Sequence, residues 1–274
     1  MPNRPLPRSA PAAAVLPRPV VHGASRQPLL DPWFLPETPG PGVLAAHVLL
    51  TGNGVYWADR PLSPRTVLVQ CGPHRVLRGD PRFITAERLA PLGRGQFSAP
   101  DRFLPLLGRT FASVMPWVRV ICTQQHPPRL PDLPPGIRLR PLTTADAAAQ
   151  LAGLDPGLRW ITETWGPNRA PAAAAGAWGA FDRGRLVSVA ATYLRGRCYE
   201  DVAVVTVPEF RRAGLGLACV GAVSGAVRRR GRIPTWSVPS SNGPSRALAE
   251  AAGFVPVRRE TVYWVGPGRV AAPR

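Results

Sequence analysis

The chain has 274 residues, enough for one large domain or two small ones. Its formal net charge is +18, yet lysine is absent and all 34 basic side chains are arginine. With abundant alanine, glycine and proline this points to a GC-rich coding sequence. The arginines are spread along the chain without interleaved aromatic stacking motifs, which argues against nucleic acid as a partner. No apolar run has membrane-spanning length, which argues against a membrane protein, and Cys71, Cys122, Cys198 and Cys219 lack C-x-x-C spacing, so reduced thiols in a cytoplasmic protein are expected.

Residues 1–28 are rich in proline and alanine, have no signal-peptide core, and read as a disordered tail. Residues 29–126 read as an N-terminal α/β domain. Within it Val43–Leu50 is a predicted helix, and Gly54–Trp57, Arg65–Gln70 and His74–Leu77 are strands. Thr85–Leu92 and Arg102–Phe111 follow as helices and Val118–Thr123 as a strand. Residues 127–135 are a stiff proline-rich linker. A second folded unit, 136–266, opens with Ile137 and Leu139 on one face of a strand, and Thr143 or Thr144 caps the helix after it. Asp182–Arg185 and Arg195–Arg197 are hairpin turns between apolar runs. Residues 267–274 are a short tail.

The segment Glu200–Val223 carries the most functional information. Val202–Val207 is a largely β-branched run that suits a buried strand, and Pro208 ends it because proline offers no N–H to a ladder. From Leu215 the period changes: Leu215, Ala218, Cys219, Ala222, Val223 and Ala226 share one helix face. Between them lies Arg211-x-x-Gly214-x-Gly216. Such a turn aims several backbone N–H groups into the first turn of a helix, where the dipole favours phosphate. Gly214 lets a phosphate approach the backbone, and Gly216 permits tight entry into the helix. The arginine cluster Arg228, Arg229, Arg230 and Arg232 lies at that helix's C-terminus, where cations are favoured. Thr235–Val238 is a short strand, Asn242 and Pro244 open a further helix, Gly253 stops it, and Phe254 begins another strand.

From Gly136 to Val265 these motifs resemble the GNAT superfamily of acyl-CoA-dependent N-acyltransferases. The resemblance rests on three landmarks in order: IRLRPLTTAD, TVPEFRRAGLG and N-x-x-S-x-x-L-A-x-x-x-G-F. The whole is similar to a bacterial subgroup with a variable N-terminal half. The resemblance implies an α+β fold, a mixed and mostly antiparallel sheet flanked by helices. A smaller α/β domain, a degenerate half-unit without a glycine phosphate loop, precedes it. It further implies a strand at Ile137–Arg140, two substrate-side helices between Thr144 and about Pro171, and strands near Ala177–Phe181, Leu186–Leu194 and Cys198–Val207.

The implied chemistry is transfer of an acetyl group from acetyl-CoA to a primary amine of a small molecule or peptide, without a metal. Glu200 is the implied general base, sharing a strand face with Val202, Val204 and Thr206, while Asp201 faces the other way. A backbone N–H near Thr206 would meet the oxyanion. Val204, Val205 and Thr206 would pair with the pantetheine arm. Arg212, Ala213, Gly214, Leu215, Gly216 and Leu217 would cradle the pyrophosphate, Arg211 and Arg212 would add charge, and Asn242 would meet the arm from the far side. The family's tyrosine acid is replaced by Ala249, leaving Ser245, Tyr263 or water to protonate the leaving thiolate, with Ser245 also at the cofactor. Trp160, Trp165 and Trp178 are read as core, or as an aromatic wall for the acceptor. Glu163 is read as a solvated helix face, or as a contact for a cationic amine. His22, His47, His74 and His126 have neither metal nor triad spacing. The alternative function is a non-catalytic acyl-CoA-binding regulatory module. Oligomeric state stays open, a homodimer included.

Overall fold

The computed structural model describes residues 31–166 and 176–268. The expected N-terminal tail, His22, the end of the second substrate-side helix and most of the C-terminal tail lie outside the described residues.

Eleven strands form one sheet: β1 (Val55–Ala58), β2 (Thr66–Cys71), β3 (His74–Gly79), β4 (Gly95–Ser98), β5 (Val114–Gln124), β6 (Ile137–Pro141), β7 (Trp178–Asp182), β8 (Arg185–Arg195), β9 (Tyr199–Thr206), β10 (Ile233–Pro239) and β11 (Phe254–Val265). Their spatial order is β1-β2-β3-β4-β11-β5-β10-β9-β8-β7-β6. Among the described residues six α-helices accompany them: α1 (Leu44–Thr51), α2 (Ala86–Leu89), α3 (Leu104–Thr110), α4 (Thr144–Ala149), α5 (Leu215–Arg229) and α6 (Gly243–Ala251). Thr143 caps α4 in a reciprocal capping box with Asp146.

Two elements depart from the sequence reading. Strand β4 was not anticipated, because four residues with a single large apolar side chain carry no period. The second substrate-side helix is a 3-10 helix, Pro156–Trp165.

The order contains a pseudo-twofold. Exchanging β1 with β7, β2 with β8, β3 with β9, β4 with β10 and β5 with β11 returns the same sequence of neighbours, β6 aside. In each half one strand runs parallel to its predecessor, β4 to β3 and β10 to β9. In each half the last strand is inserted into the other: β11 lies between β4 and β5, and β5 between β10 and β11. The sheet is therefore continuous across the expected domain boundary.

The sheet curls. Helix α1 packs on both β2 and β8 although six strands separate them in the sheet order. Its concave side holds one core, where Val67, Val69 and Val76 meet Val189, Ala191 and Ala203. On the convex side α5 and α6 cover the C-terminal half through Leu215, Cys219, Val223 and Ala249, packed on Val202, Trp236 and Phe254. There α2 and α3 cover the N-terminal half through Leu89, Leu106 and Leu107, packed on Leu77, Phe97 and Tyr263. Among the described residues no helix is long and apolar enough to cross a membrane.

Candidate active site

The site begins where two strands part. Strands β9 and β10 pair only at Tyr199–Ile233, Glu200–Pro234 and Asp201–Thr235. Beyond Asp201 the edge of β9 that faces β10 has no ladder partner, and unpaired backbone groups there seek an extended ligand. Immediately after β9 the chain turns into α5. Gly214 is the residue before this helix, with φ of 78°, and brings no capping side chain to the first N–H groups. Arg212 also has positive φ, 65°. Gly216 sits against the cleft: a Cβ there would lie 3.5 Å from Thr206 Oγ1 and 3.8 Å from Val204 Cγ2. The strand, the parting and the open helix N-terminus thus form one groove.

That groove opens into a cavity of about 510 Å³ on the concave side. Val202, Ala203 and Val204 form one wall of its neck, and Trp236, Ser237, Val238, Asn242 and Ser245 the other. The far chamber is made by both halves: His74, Gln96, Trp117 and Arg119 come from the N-terminal half, Trp160, Glu163, Tyr193 and Trp264 from the C-terminal half. The Arg119 guanidinium donates to Gln96 Oε1 at 3.0 Å and to the Ser237 carbonyl at 2.6 Å.

At the junction of neck and chamber lies Asp201. Its carboxylate accepts from Thr235 Oγ1 at 3.0 Å. Burial raises its pKa to about 6, against the opposing effects of the Arg119 charge and the Thr235 hydrogen bond. Glu200, the expected base, is elsewhere. Strand alternation puts it on the convex face with Val202 and Val204, as expected, but that face is sealed by α5. The Glu200 side chain is fully buried and does not line the cavity. Both its oxygens are taken: Arg230 donates through Nε and Nη2, Arg232 through Nη1, and Thr192 through its hydroxyl, at 2.6–3.1 Å. Burial alone would raise its pKa, but the hydrogen bonds from Arg230, Arg232 and Thr192 outweigh it and hold the carboxyl below its usual range. A carboxylate held in four hydrogen bonds and outside the cavity lining is less favourably placed to take a proton from an amine than Asp201, which lines the cavity.

The chamber's other wall follows from the 3-10 helix. With three residues per turn it has three straight rows. Ile161 and Thr164 form one buried row, Thr162 and Trp165 another, and Trp160 and Glu163 are left facing the cavity. A bulge in β8 between Thr192 and Leu194 receives this helix. Trp165 Nε1 donates to the Thr192 carbonyl at 2.8 Å, and the Thr164 hydroxyl to the Tyr193 carbonyl. From the N-terminal half His47 donates through Nε2 to the Thr164 carbonyl and accepts the Arg195 N–H at Nδ1, each at 2.9 Å. The bulge turns Tyr193 into the chamber. Its hydroxyl donates to Glu163 Oε1 and lies 2.6 Å from His74 Nε2, which is therefore the donor of that bond. Burial, with the charges of Arg119 and Arg75, pushes the His74 pKa down to about 3, so the ring is neutral. Burial raises the Glu163 pKa, with the Tyr193 hydrogen bond opposing.

The structure thus brings Val204, Asn242 and Ser245 to the neck. Val205 and Thr206 continue along β9, with Arg211, Arg212, Ala213, Gly214, Leu215, Gly216 and Leu217 in the turn beyond it. Asn242 caps α6, accepting the Ser245 N–H at 3.1 Å, and Ser245 Oγ accepts from Trp236 Nε1 at 3.2 Å. Tyr263 lies on the convex side and donates to Asp101 at 2.7 Å, away from the neck. Trp165 and Trp178 are core residues, whereas Trp160 is 42% exposed at the chamber. Sequence reasoning missed the roles of Tyr193, His74, Trp117, Arg119 and Trp264 in the site. Strand alternation could have grouped Trp117 with Arg119, but nothing local joins them to Tyr193.

A profile of the family described as FR47-like protein matches residues 177–265, from β7 to the end of β11. A Streptomyces virginiae protein named as an uncharacterized N-acetyltransferase in the mutA 5′ region is 45% identical over 199 residues, 72% of this chain and 84% of that protein. Among solved structures, a GCN5-related N-acetyltransferase-like protein from Streptococcus suis 89/1591 is similar with a TM-score of 0.68 at 18% identity, over 88% of this chain and 99% of that one. A tandem GNAT protein from the clavulanic acid biosynthesis pathway, solved without AcCoA, is similar with a TM-score of 0.57 at 15% identity, over 90% and 98%. The last two likenesses concern the fold.

Proposed function

The chain belongs to the GNAT superfamily of N-acetyltransferases, and from that premise we propose that it moves an acetyl group from acetyl-CoA to a primary amine of a small molecule or peptide, by direct attack on the thioester. The observation that carries this reading is the parting of β9 from β10 beside the open N-terminus of α5, leading into a cavity that holds Asp201.

In this reading the free edge of β9 along Val204, Val205 and Thr206 pairs with the pantetheine arm as a strand would. The N–H groups between Arg212 and Leu217 take the pyrophosphate, with Arg211 and Arg212 adding charge. Acetyl-CoA supplies the thioester carbonyl at the neck. A backbone N–H of β9 meets the oxyanion there. Asp201 receives the proton of the attacking amine; its raised pKa brings it closer to the amine's than an ordinary aspartate's. Asn242 and Ser245 close the far side, and the Ser245 hydroxyl is the side chain at hand for the leaving thiolate. A thiol pKa near 8.5 lets that thiolate leave without a strong acid, which accommodates Ala249 at the tyrosine position.

The test is calorimetric titration with acetyl-CoA beside a Gly214→Trp variant, followed by thiol-release assays across an amine panel. Micromolar binding, about −8 kcal/mol, lost in the variant and followed by Asp201-dependent thiol release, supports the reading. A well-folded parent that does not bind acetyl-CoA overturns it.

A further inference from the structure

The chamber contains a second carboxylate that acetyl transfer does not use. Glu163 and Trp160 stand one turn apart on the cavity-facing row of the 3-10 helix. Trp160 meets Tyr193 edge to face, with ring centroids 5.8 Å apart, and His74 meets Tyr193 in the same way at 5.4 Å. Tyr193 and Glu163 are joined by a hydrogen bond, so two aromatic rings and a carboxylate converge on one corner. No arginine among the described residues pairs with Glu163, in a chain where arginines outnumber carboxylates about two to one. The two arginines that line the cavity are both turned elsewhere, Arg119 to Gln96 and Ser237, and Arg75 to the carbonyls of Pro73, Leu92 and Arg94. An indole on a residue that is 42% exposed, beside a carboxylate, is the arrangement that attracts an organic cation.

Resting on the acetyl-transfer reading, we propose that the acceptor carries a second cationic nitrogen besides the amine that is acetylated, and that Trp160, Tyr193 and Glu163 hold it. The corner is better matched to a nitrogen that keeps its charge than to the reacting one. That nitrogen must shed its proton before attack, and a carboxylate with aromatic faces stabilises the charge it must lose. A nitrogen that stays charged gains from the same contacts throughout. Asp201 at the neck and Glu163 in the corner thereby divide the work: one discharges an ammonium, the other retains one. His74, neutral and hydrogen-bonded to Tyr193, adds no competing charge and fixes the ring. It also makes the corner depend on the N-terminal half.

The experiment compares diamines with monoamines of equal length, tetramethylenediamine against butylamine and hexamethylenediamine against hexylamine, by acetyl-CoA-dependent thiol release. The diamine should have the higher kcat/KM by about tenfold, expressed mainly in KM. Glu163→Gln and Trp160→Leu should each bring the diamine-to-monoamine ratio down towards unity. Equal use of both amines by the parent protein, or a ratio that survives both substitutions, would overturn the proposal. If acetyl-CoA binds but no amine turns over, diamines are titrated into the CoA-loaded protein with tryptophan fluorescence as readout. Quenching that requires Glu163 upholds the proposal, and its absence overturns it. Failure of acetyl-CoA itself to bind would mark the acetyl-transfer reading, rather than the acceptor assignment, as the point of error.

Discussion

Glu200 and Asp201 are consecutive in β9, and their carboxylates serve opposite sides of the sheet: Glu200 is clamped by Arg230 and Arg232 under the end of α5, and Asp201 faces the cavity. The clamp ties the last turn of α5 to β9, the strand whose edge forms the groove. In the proposed reaction Glu200 is therefore assigned a positioning role, acting through the geometry of β9.

The two carboxylates should separate on substitution. Asp201→Asn is expected to fold and bind acetyl-CoA like the parent while losing about 10²–10⁴ in kcat, the usual worth of a general base. Glu200→Ala removes one side of a buried ion network and is expected to cost about 3–5 kcal/mol of stability. Urea unfolding read beside thiol release distinguishes them. A folded Asp201→Asn with full turnover would return the base to some other group.

Activity should carry an acid limb set by Asp201. With its pKa raised to about 6, the base form is lost as pH falls through 6, and kcat/KM falls with it. The stability effect has the opposite sign. A carboxyl whose folded pKa exceeds its unfolded value of 3.8 favours the fold below that value and loses this contribution as pH rises through about 6. Asp201→Asn should therefore be more stable than the parent at pH 7 and close to it at pH 4, by urea midpoints.

His47 sets an acid limit on the joint between halves. It is fully buried, and its pKa is pushed down from 6.5 to about 4, chiefly by burial and also by the Arg195 charge, with the Thr164 hydrogen bond opposing. Its contribution to stability is present above pH 6.5 and lost as pH falls toward 4. Asp201 works in the opposite sense over the same window, so His47 is read from the difference between parent and variant: His47→Gln should start below the parent at pH 7, and the gap between their unfolding midpoints should narrow as pH falls toward 4. A gap that stays constant between pH 7 and pH 4 would contradict this.

Two glycines inside α5 should respond differently to alanine. A Cβ on Gly221 would lie 2.5 Å from Leu130 Cδ2 and 3.0 Å from Pro128 Cγ, so the proline linker lies directly on the helix there. A Cβ on Gly225 meets only an arginine tip at 3.5 Å. Gly225→Ala should gain up to about 1 kcal/mol from helix propensity. Gly221→Ala should forfeit that gain by displacing the linker, and should speed tryptic cleavage after Arg129, which is exposed. Equal stabilisation by both would show that the linker does not hold its place on α5.

What could be read in the sequence was local. The run from Val202 through Gly214 to Gly253 announced its strand, turn and helices because each signal, a β-branched run, a proline stop, a glycine turn or a cap, acts within a few residues. Alternation also placed Glu200 and Asp201 on opposite faces correctly. Which face holds the cavity is a tertiary fact, decided by where α5 and α1 pack, and no signal within β9 carries it. Trp160 and Glu163 belong to one row only in a helix of period three. In an α-helix the same spacing is about 60° off line. The partner of Tyr193 in the chamber, His74, lies more than a hundred residues away, and nothing near either residue foretells the pairing.

The exchange of β5 and β11 also sets an order of events during synthesis. Strand β5 leaves the ribosome early but pairs with β10 and β11, which are made last. At roughly 5–20 residues per second it waits on the order of ten seconds, and β4 waits as long for the neighbour that covers its edge. The nascent first half is therefore a chain with unsatisfied strand edges, open to wrong pairing until β11 arrives. A gene cut between the two halves should yield fragments that recover a native fold only when both are present together.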